Sequence, residues 1–237
     1  MVESSQSRVS GQADEMQSAP AIQVAESPVN VLVVGVGGQG VIMVSKVLAT
    51  LCQRQGYQVK QSEVHGMAKR GGSVFSHVRF GETVYSPTIP LGEADVLVAL
   101  EWAEGLRWLS YLKPDTGIFI ADTQQIVPPF ACRNRQHGAG SGYARETVAD
   151  VIAQVANCYA INAGQIAQEL GNSKAGNTLL LGMMSTTLDF PASDWRDVIT
   201  MFAPPKTIDI NMQAFDRGRQ GAVGAGGKDR LRGHLGR

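Results

Sequence analysis

The chain has 237 residues, enough for one large or two small domains with a substantial core. Hydrophobic residues make up 43% and charged residues 18%, the profile of a soluble globular protein rather than of a membrane-embedded or wholly disordered one. Its 21 basic and 21 acidic residues cancel, so no global charge argues for specific nucleic acid or an acidic membrane surface as a partner.

Charge is uneven at the ends. Residues 1–29 carry Glu3, Asp14, Glu15 and Glu26 against Arg8 in a Ser/Gln/Ala-rich background. Residues 217–237, "RGRQGAVGAGGKDRLRGHLGR", set six Arg/Lys against Asp229. Neither end has the apolar content to offset the entropy of ordering, so 1–28 and 217–237 are predicted as disordered tails around one domain, 29–216. The basic tail reads as a solvated terminus, with nonspecific RNA or partner contact as the other reading. No apolar run is long enough to span a membrane and no signal-peptide pattern opens the chain, which predicts a cytoplasmic protein. Cys52, Cys132 and Cys158 are widely spaced without a C-x-x-C, too few and too scattered for a zinc or iron–sulfur site.

Ordered structure is predicted to start near Val29. Val31 to Val34 form an unbroken apolar, mainly β-branched run, the pattern of a central strand covered on both faces. A glycine turn follows, then apolar positions at Val41, Val44, Val47, Leu48 and Leu51 with helical spacing and a stop at Gly56. A second strand is expected at about Tyr57–Gln61. From Ser73 to Phe80 the sequence alternates as a strand, and "GET" is predicted to turn it into a short return strand at Val84 and Tyr85. "ADVLVALEW", "GIFIAD" and "CYAINA" supply further strands, separated by helices, one of them at about Glu146–Ala156. An irregular loop is expected from Pro128 to Gly142. The end reads as helices at Asn177–Thr187 and at Ser193–Phe202, the latter with Ser193 as N-cap, followed by a short turn at Asn211–Phe215. Together these give an α/β, Rossmann-like fold with a mostly parallel sheet and an inserted β-hairpin at 73–85.

Two stretches could carry chemistry. "GVGGQG" places Gly35, Gly37, Gly38, Gln39 and Gly40 between a strand and a helix, where glycines let a phosphate approach the helix N-terminus. The same turn could serve strand–helix packing alone, and both readings stay open. "EVHGMAKRGG", Glu63 to Gly72, is the more unusual stretch. Arg70 before Gly71 and Gly72 could bind an anion in bidentate fashion, and His65 beside Glu63 could move a proton. Alternatively this loop docks on another protein, with Arg70 paired to Glu63 and His65 packed. His77 reads as a structural histidine, and Met67, Met183 and Met184 as packing residues. Glu63 lies near the position of the ribose-binding acid of dinucleotide sites, which makes a stand-alone NAD(P)-dependent oxidoreductase the main rival. A clean ribose acid and a recognisable Tyr-Lys or His-Asp set are both missing. A noncatalytic scaffold that only stabilises a partner is the third reading.

"VGVGGQGV", "SEVHGMAKRGGSVFSHVRFG", "NTLLLGMM" and "NMQAFDRG" resemble the gamma-type domain of the 2-oxoacid:ferredoxin oxidoreductases, and within it the beta subunits of the indolepyruvate branch. The resemblance covers about 30–216. It implies a subunit of a complex that converts an aryl 2-oxoacid, CoA and oxidised ferredoxin to aryl acyl-CoA, CO2 and reduced ferredoxin. It also implies that a partner alpha subunit carries thiamine diphosphate and the iron–sulfur clusters, that this chain binds no cofactor firmly, and that the isolated chain is inactive. The sequence has no G-D-G motif for thiamine diphosphate. Gly35–Gly40 and the Arg70 loop would then lie at the boundary with the partner.

Overall fold

The computed structural model describes residues 27–65, 72–126 and 147–225. The expected N-terminal tail up to residue 26, the loop at Pro128–Gly142, and Met67, Arg70, Gly71 and Cys132 fall outside those residues. Six strands form one sheet in the order β2-β3-β1-β4-β5-β6. Strand β1 (Val29–Val36) is buried along its whole length, as its uninterrupted apolar run requires of a strand covered on both faces. It runs parallel to β4 (Val96–Ala99), which is parallel to β5 (Ile118–Asp122), which is parallel to β6 (Asn157–Ile161).

On the other side of β1 the sheet changes sense. Strand β3 (Ser73–Gly81) is antiparallel both to β1 and to β2 (Gln58–His65). The α/β, mostly parallel architecture thus holds, but the hairpin lies elsewhere than expected. It is built from β2 and β3, and the return strand at Val84 and Tyr85 does not form. The reason is local. Pro87 and Pro90 lack the N–H a ladder needs, and the segment is instead held by side chains. Gln58 Oε1 accepts from Val84 N at 3.2 Å, Arg79 donates to the carbonyls of Ser86 and Thr88, and His77 Nδ1 accepts from Ile89 N. The second strand also runs past Gln61, so Glu63 and His65 belong to a strand and not to a loop.

Helices cover both faces. Helix α1 (Val41–Arg54), α4 (Ala163–Glu169), α5 (Gly176–Met184), α6 (Ala192–Phe202) and α7 (Ile208–Ala225) pack on Val31, Val33, Val96, Val98 and Ile120. Helices α2 (Trp102–Trp108) and α3 (Val148–Gln154) pack on Leu32, Val34, Leu97, Ala99 and Phe119. The alternation of a pleated strand thus divides the apolar side chains between two cores. Helix α6 starts at Ala192 with Pro191 in the cap position, so the expected cap, Ser193, sits in the first turn and its hydroxyl donates to Asp194.

The largest departure is at the C-terminal side. The expected turn at Asn211–Phe215 and the first part of the expected tail from 217 are one helix, α7, reaching Ala225. Its glycines do not mark disorder. A Cβ on Gly218 would stand 1.9 Å from the carbonyl oxygen of Leu179, and one on Gly182 would stand 2.1 Å from that of Phe215. Glycine at both positions lets the backbones of α5 and α7 touch, and this contact orders a segment whose composition is polar and basic. Residues 226–237 lie outside the described part.

Candidate functional site: a cleft at the ends of the parallel strands

The C-terminal ends of β1, β4, β5 and β6 open on one side of the molecule. Here α1 leaves β1 toward one face of the sheet and α2 leaves β4 toward the other, which is where open α/β sheets form ligand crevices. A cleft of about 560 Å³ lies there, within the range of small-molecule sites. Its wall on the β1 side is the glycine turn, Gly38, Gln39 and Gly40. Asp122 and Gln124 follow β5, Asn162 and Gln165 open α4, and Lys174, Gly176 and Asn177 lead into α5.

The turn is shaped by its side chain as much as by its glycines. Gly38 and Gly40 have φ of 101° and 91°, conformations that L side chains rarely adopt. Gln39 folds back beneath them. Its Oε1 accepts from Val36 N at 2.9 Å and its Nε2 donates to Leu100 O at 2.7 Å, so one amide ties the end of β1 to the end of β4. Helix α1 begins at Gly40 with no side-chain cap and no acid in its first turn. That leaves its first N–H groups and the positive end of its dipole for an anion. Asn177 closes against Gly40, where a Cβ would meet Asn177 Nδ2 at 2.6 Å.

The other wall is acidic. Asp122 is 5% exposed, and its Oδ1 accepts from Gln124 N at 3.0 Å and Ala163 N at 3.1 Å. Burial pushes its carboxyl up to about 6, against the pull of these backbone amides and with a small addition from the negative charge of Glu101. Glu101 is fully buried at the end of β4. Its oxygens accept from the backbone N–H groups of Glu104 and Ile126, and desolvation raises its pKa as well.

The two sequence stretches meet, though only in part. Gly37 N donates to Gly72 O at 2.9 Å, and β1 and β3 are in register from Gly35 opposite Val74 to Val36 opposite Ser73. The exit of the loop at 66–71 is therefore pinned to the glycine turn. It is pinned a second time by Ser73, whose hydroxyl donates to the buried carboxylate of Glu104 at 2.7 Å, which also pairs with Arg107. Glu63 does not join this site. It stands in β2 opposite Ser76, and Gln61 Nε2 donates to its Oε1 at 2.7 Å and to Ser45 of α1 at 2.9 Å. With β3 between β2 and β1, Glu63 is two strand spacings, roughly 10 Å, from β1. The ribose acid of a dinucleotide site requires the second strand beside the first, so Glu63 cannot fill that role here. His65 ends β2 opposite Val74, and Arg70 and Gly71 fall outside the described residues. His77 packs edge-on against Phe75, Trp108 and Tyr111, with its pKa lowered by burial, as a structural histidine does.

Sequence reasoning did not single out Asp122, Lys174 or Asn177. A signal existed for the first, since an acid directly after the apolar run "IFIA" marks a strand's exit.

Comparison with known proteins adds to this geometry. The model of the pyruvate ferredoxin/flavodoxin oxidoreductase family matches residues 30–221. The chain belongs to this family. Curated members named indolepyruvate oxidoreductase subunit IorB are similar along most of their length. The one from Thermococcus kodakarensis is 37% identical, covering 81% of this chain and 95% of its own, and the one from Pyrococcus horikoshii is 36% identical with the same coverage. The ketoisovalerate oxidoreductase subunit VorA of Methanothermobacter marburgensis is 30% identical, but only 36% of its length is matched. Among solved structures, a keto/oxoacid ferredoxin oxidoreductase gamma subunit from Geobacter sulfurreducens shares the fold with a TM-score of 0.59 at 21% identity, covering 83% of this chain and 99% of that one. A 2-oxoglutarate:ferredoxin oxidoreductase from Magnetococcus marinus, solved with 2-oxoglutarate, coenzyme A and succinyl-CoA bound, aligns with a TM-score of 0.64 over 31% of its length at 21% identity.

Enzymes of the family use thiamine diphosphate and iron–sulfur clusters, and the described residues of this chain do not fit either. Cys52 lies in the core under α1 and Cys158 in the core on the opposite face of the sheet, so they cannot share a cluster. Burial raises both thiols, that of Cys158 to about 12, as in unreactive structural cysteines. No three His, Cys, Asp or Glu side chains converge among the described residues to hold the divalent cation that a bound diphosphate commonly needs. No helix among these residues is long and apolar enough to cross a membrane.

Proposed function

We propose that this chain is the beta subunit of an indolepyruvate (aryl 2-oxoacid):ferredoxin oxidoreductase. The complex decarboxylates an aryl pyruvate oxidatively, transfers the acyl group to CoA and passes the electron pair to ferredoxin. The observation that carries the reading is the 37% identity to a curated subunit of that name over 95% of its length. An alpha subunit holds thiamine diphosphate and the iron–sulfur clusters, the complex is cytoplasmic, and this chain alone is inactive.

In this reading the chain contributes the strand-end cleft to the complex. The uncapped N-terminus of α1, the turn amides, Lys174 and the Arg70 guanidinium receive anionic oxygens of CoA, and the stretch with Arg70, Gly71 and Gly72 lies at the boundary with the alpha subunit. Binding and orientation are its work.

The test is anaerobic purification of the full chain from cells that make it, with identification of what accompanies it. A large partner with bound thiamine diphosphate and iron–sulfur absorbance supports the proposal. A lone chain that binds NAD(H) overturns it. In the recovered complex, Arg70→Ala should raise the CoA KM without loss of assembly, and an unchanged KM would remove the loop from that role.

A further inference from the structure

Away from the cleft, the face of the sheet that carries α2 holds a run of apolar side chains open to solvent on one side. Val64 in β2 is 43% exposed and stands opposite Phe75 of β3, so the two side chains share that face. Phe75 packs on Trp108 at the end of α2 with ring centroids 4.3 Å apart, and Trp108 lies 4.9 Å from Tyr111. All three rings are half-buried. Leu91 is 66% exposed and precedes Gly92, whose N–H donates to the carbonyl of Ser110 at 3.1 Å, so it extends the run beside Tyr111. A stripe of this kind, with three aromatic rings at its centre, is uncommon on a monomer and has the composition of an interface core.

Position selects the occupant. Val64 comes just before His65, where β2 ends, and Phe75 comes just after Ser73, where β3 begins. The stripe is therefore continuous with the stretch that the subunit reading puts at the boundary with its partner. A second copy of this chain fits less well. Strand β2 is the outermost strand of the sheet, where a copy would add edge to edge, and Lys60 stands exposed in its middle on the same face as Val64, which opposes such pairing. In two of the relatives the matched fold is only part of a longer chain. A unit of that kind, made as a separate chain, calls for a neighbour of different sequence.

We infer that the stripe formed by Val64, Phe75, Trp108, Tyr111 and Leu91 is the docking surface for the alpha subunit, which meets it with an apolar surface of its own. This rests on the subunit reading given above and goes further by naming the face that binds. Trp108, held between Phe75 and Tyr111, is the anchor at its centre, and Lys60 stays hydrated at its rim.

The test places an acid at each end of the stripe, Val64→Glu in β2 and Leu91→Glu ahead of β4. The control is Met201→Glu, a change at a comparably exposed apolar residue of α6, a helix of the opposite face. Each full chain is purified anaerobically from the cells that make it, and the molar ratio of large partner to chain is measured. Val64→Glu and Leu91→Glu should each lower that ratio about tenfold or more, as a charge buried in an apolar contact would, while Met201→Glu changes it by less than about twofold. The two stripe variants lie on different elements, so if one misfolds the other still decides. Full recovery of the partner with a stripe variant whose circular dichroism spectrum is unchanged, or an equal loss with Met201→Glu, overturns the inference and leaves the subunit reading standing. Absence of a large partner from the unaltered chain overturns both. A self-associated unaltered chain that a stripe variant dissociates gives this face to a second copy and overturns the inference.

Discussion

The backbone amide of Gly37 donates to the carbonyl of Gly72 over 2.9 Å, so residues separated by a helix and a strand form one hinge between the glycine turn and the start of β3. One side of the turn faces the cleft and the other is bonded to Gly72 just before β3. A change in either can be felt by the other through a single hydrogen bond.

Ser73 guards this hinge from behind. Its hydroxyl is one of two partners holding the buried Glu104 carboxylate. Ser73→Ala leaves the carboxylate to Arg107, at a cost of about 1–2 kcal/mol. Amide hydrogen exchange should then quicken at Gly37 and at residues 73–75 while the β4–β5 amides are unchanged.

Lys174 is exposed and lies on the cleft wall. In the assembled complex Lys174→Ala should raise the KM for CoA about tenfold with kcat unchanged, the pattern of an interaction made equally in ground and transition states. Steady-state kinetics at two salt concentrations checks it, because the loss should shrink as salt screens the charge.

The α5–α7 seam leaves no room for a Cβ at Gly182 or Gly218. Gly218→Ala and Gly182→Ala each place a methyl within about 2 Å of a carbonyl oxygen, and the helices must separate. Each substitution should cost about 2–3 kcal/mol or more. Gly221→Ala, one turn on, meets only Ile161 at 3.5 Å and should be near neutral. Urea unfolding midpoints separate these outcomes.

Two buried groups impose opposite pH dependences. His77 has its pKa lowered by burial, so the unfolded chain binds the proton more readily and stability falls as pH drops below about 6.5. Asp122 is raised to about 6, so the folded chain holds its proton longer and stability is lost as pH rises from the ordinary carboxylate range through about 6. His77→Asn, which can still accept from Ile89 N, should flatten the first slope. Asp122→Asn should flatten the second. Melting temperatures between pH 4 and 8 read both.

Much of this was legible in the chain. The run at Val31–Val34, the helical spacing after Gly40 and the apolar strands "VLVA" and "IFIA" each encode burial on both faces, and the sheet's parallel half follows from them. The antiparallel insertion was not, because β3 reads the same whether its partner precedes or follows it. Side-chain hydrogen bonds at Arg79 and His77, invisible to periodicity, decided against the return strand. Helix α7 was missed for a related reason. Its glycines carry no apolar signal, and their value exists only when α5 is opposite them. In the site, the glycine turn was found from its spacing, whereas Asp122, Lys174 and Asn177 come together only through the order of β5, α4 and α5.

The two buried cysteines give the protein a built-in pair of clocks. Cys52 and Cys158 sit on opposite faces of the same sheet, each silent while its own layer is closed. After Cys132→Ser, timed alkylation followed by peptide mass spectrometry would record, for each layer separately, how often the helices lift from the strands. Uneven ticking would reveal which half of the molecule yields first when a partner pulls on it.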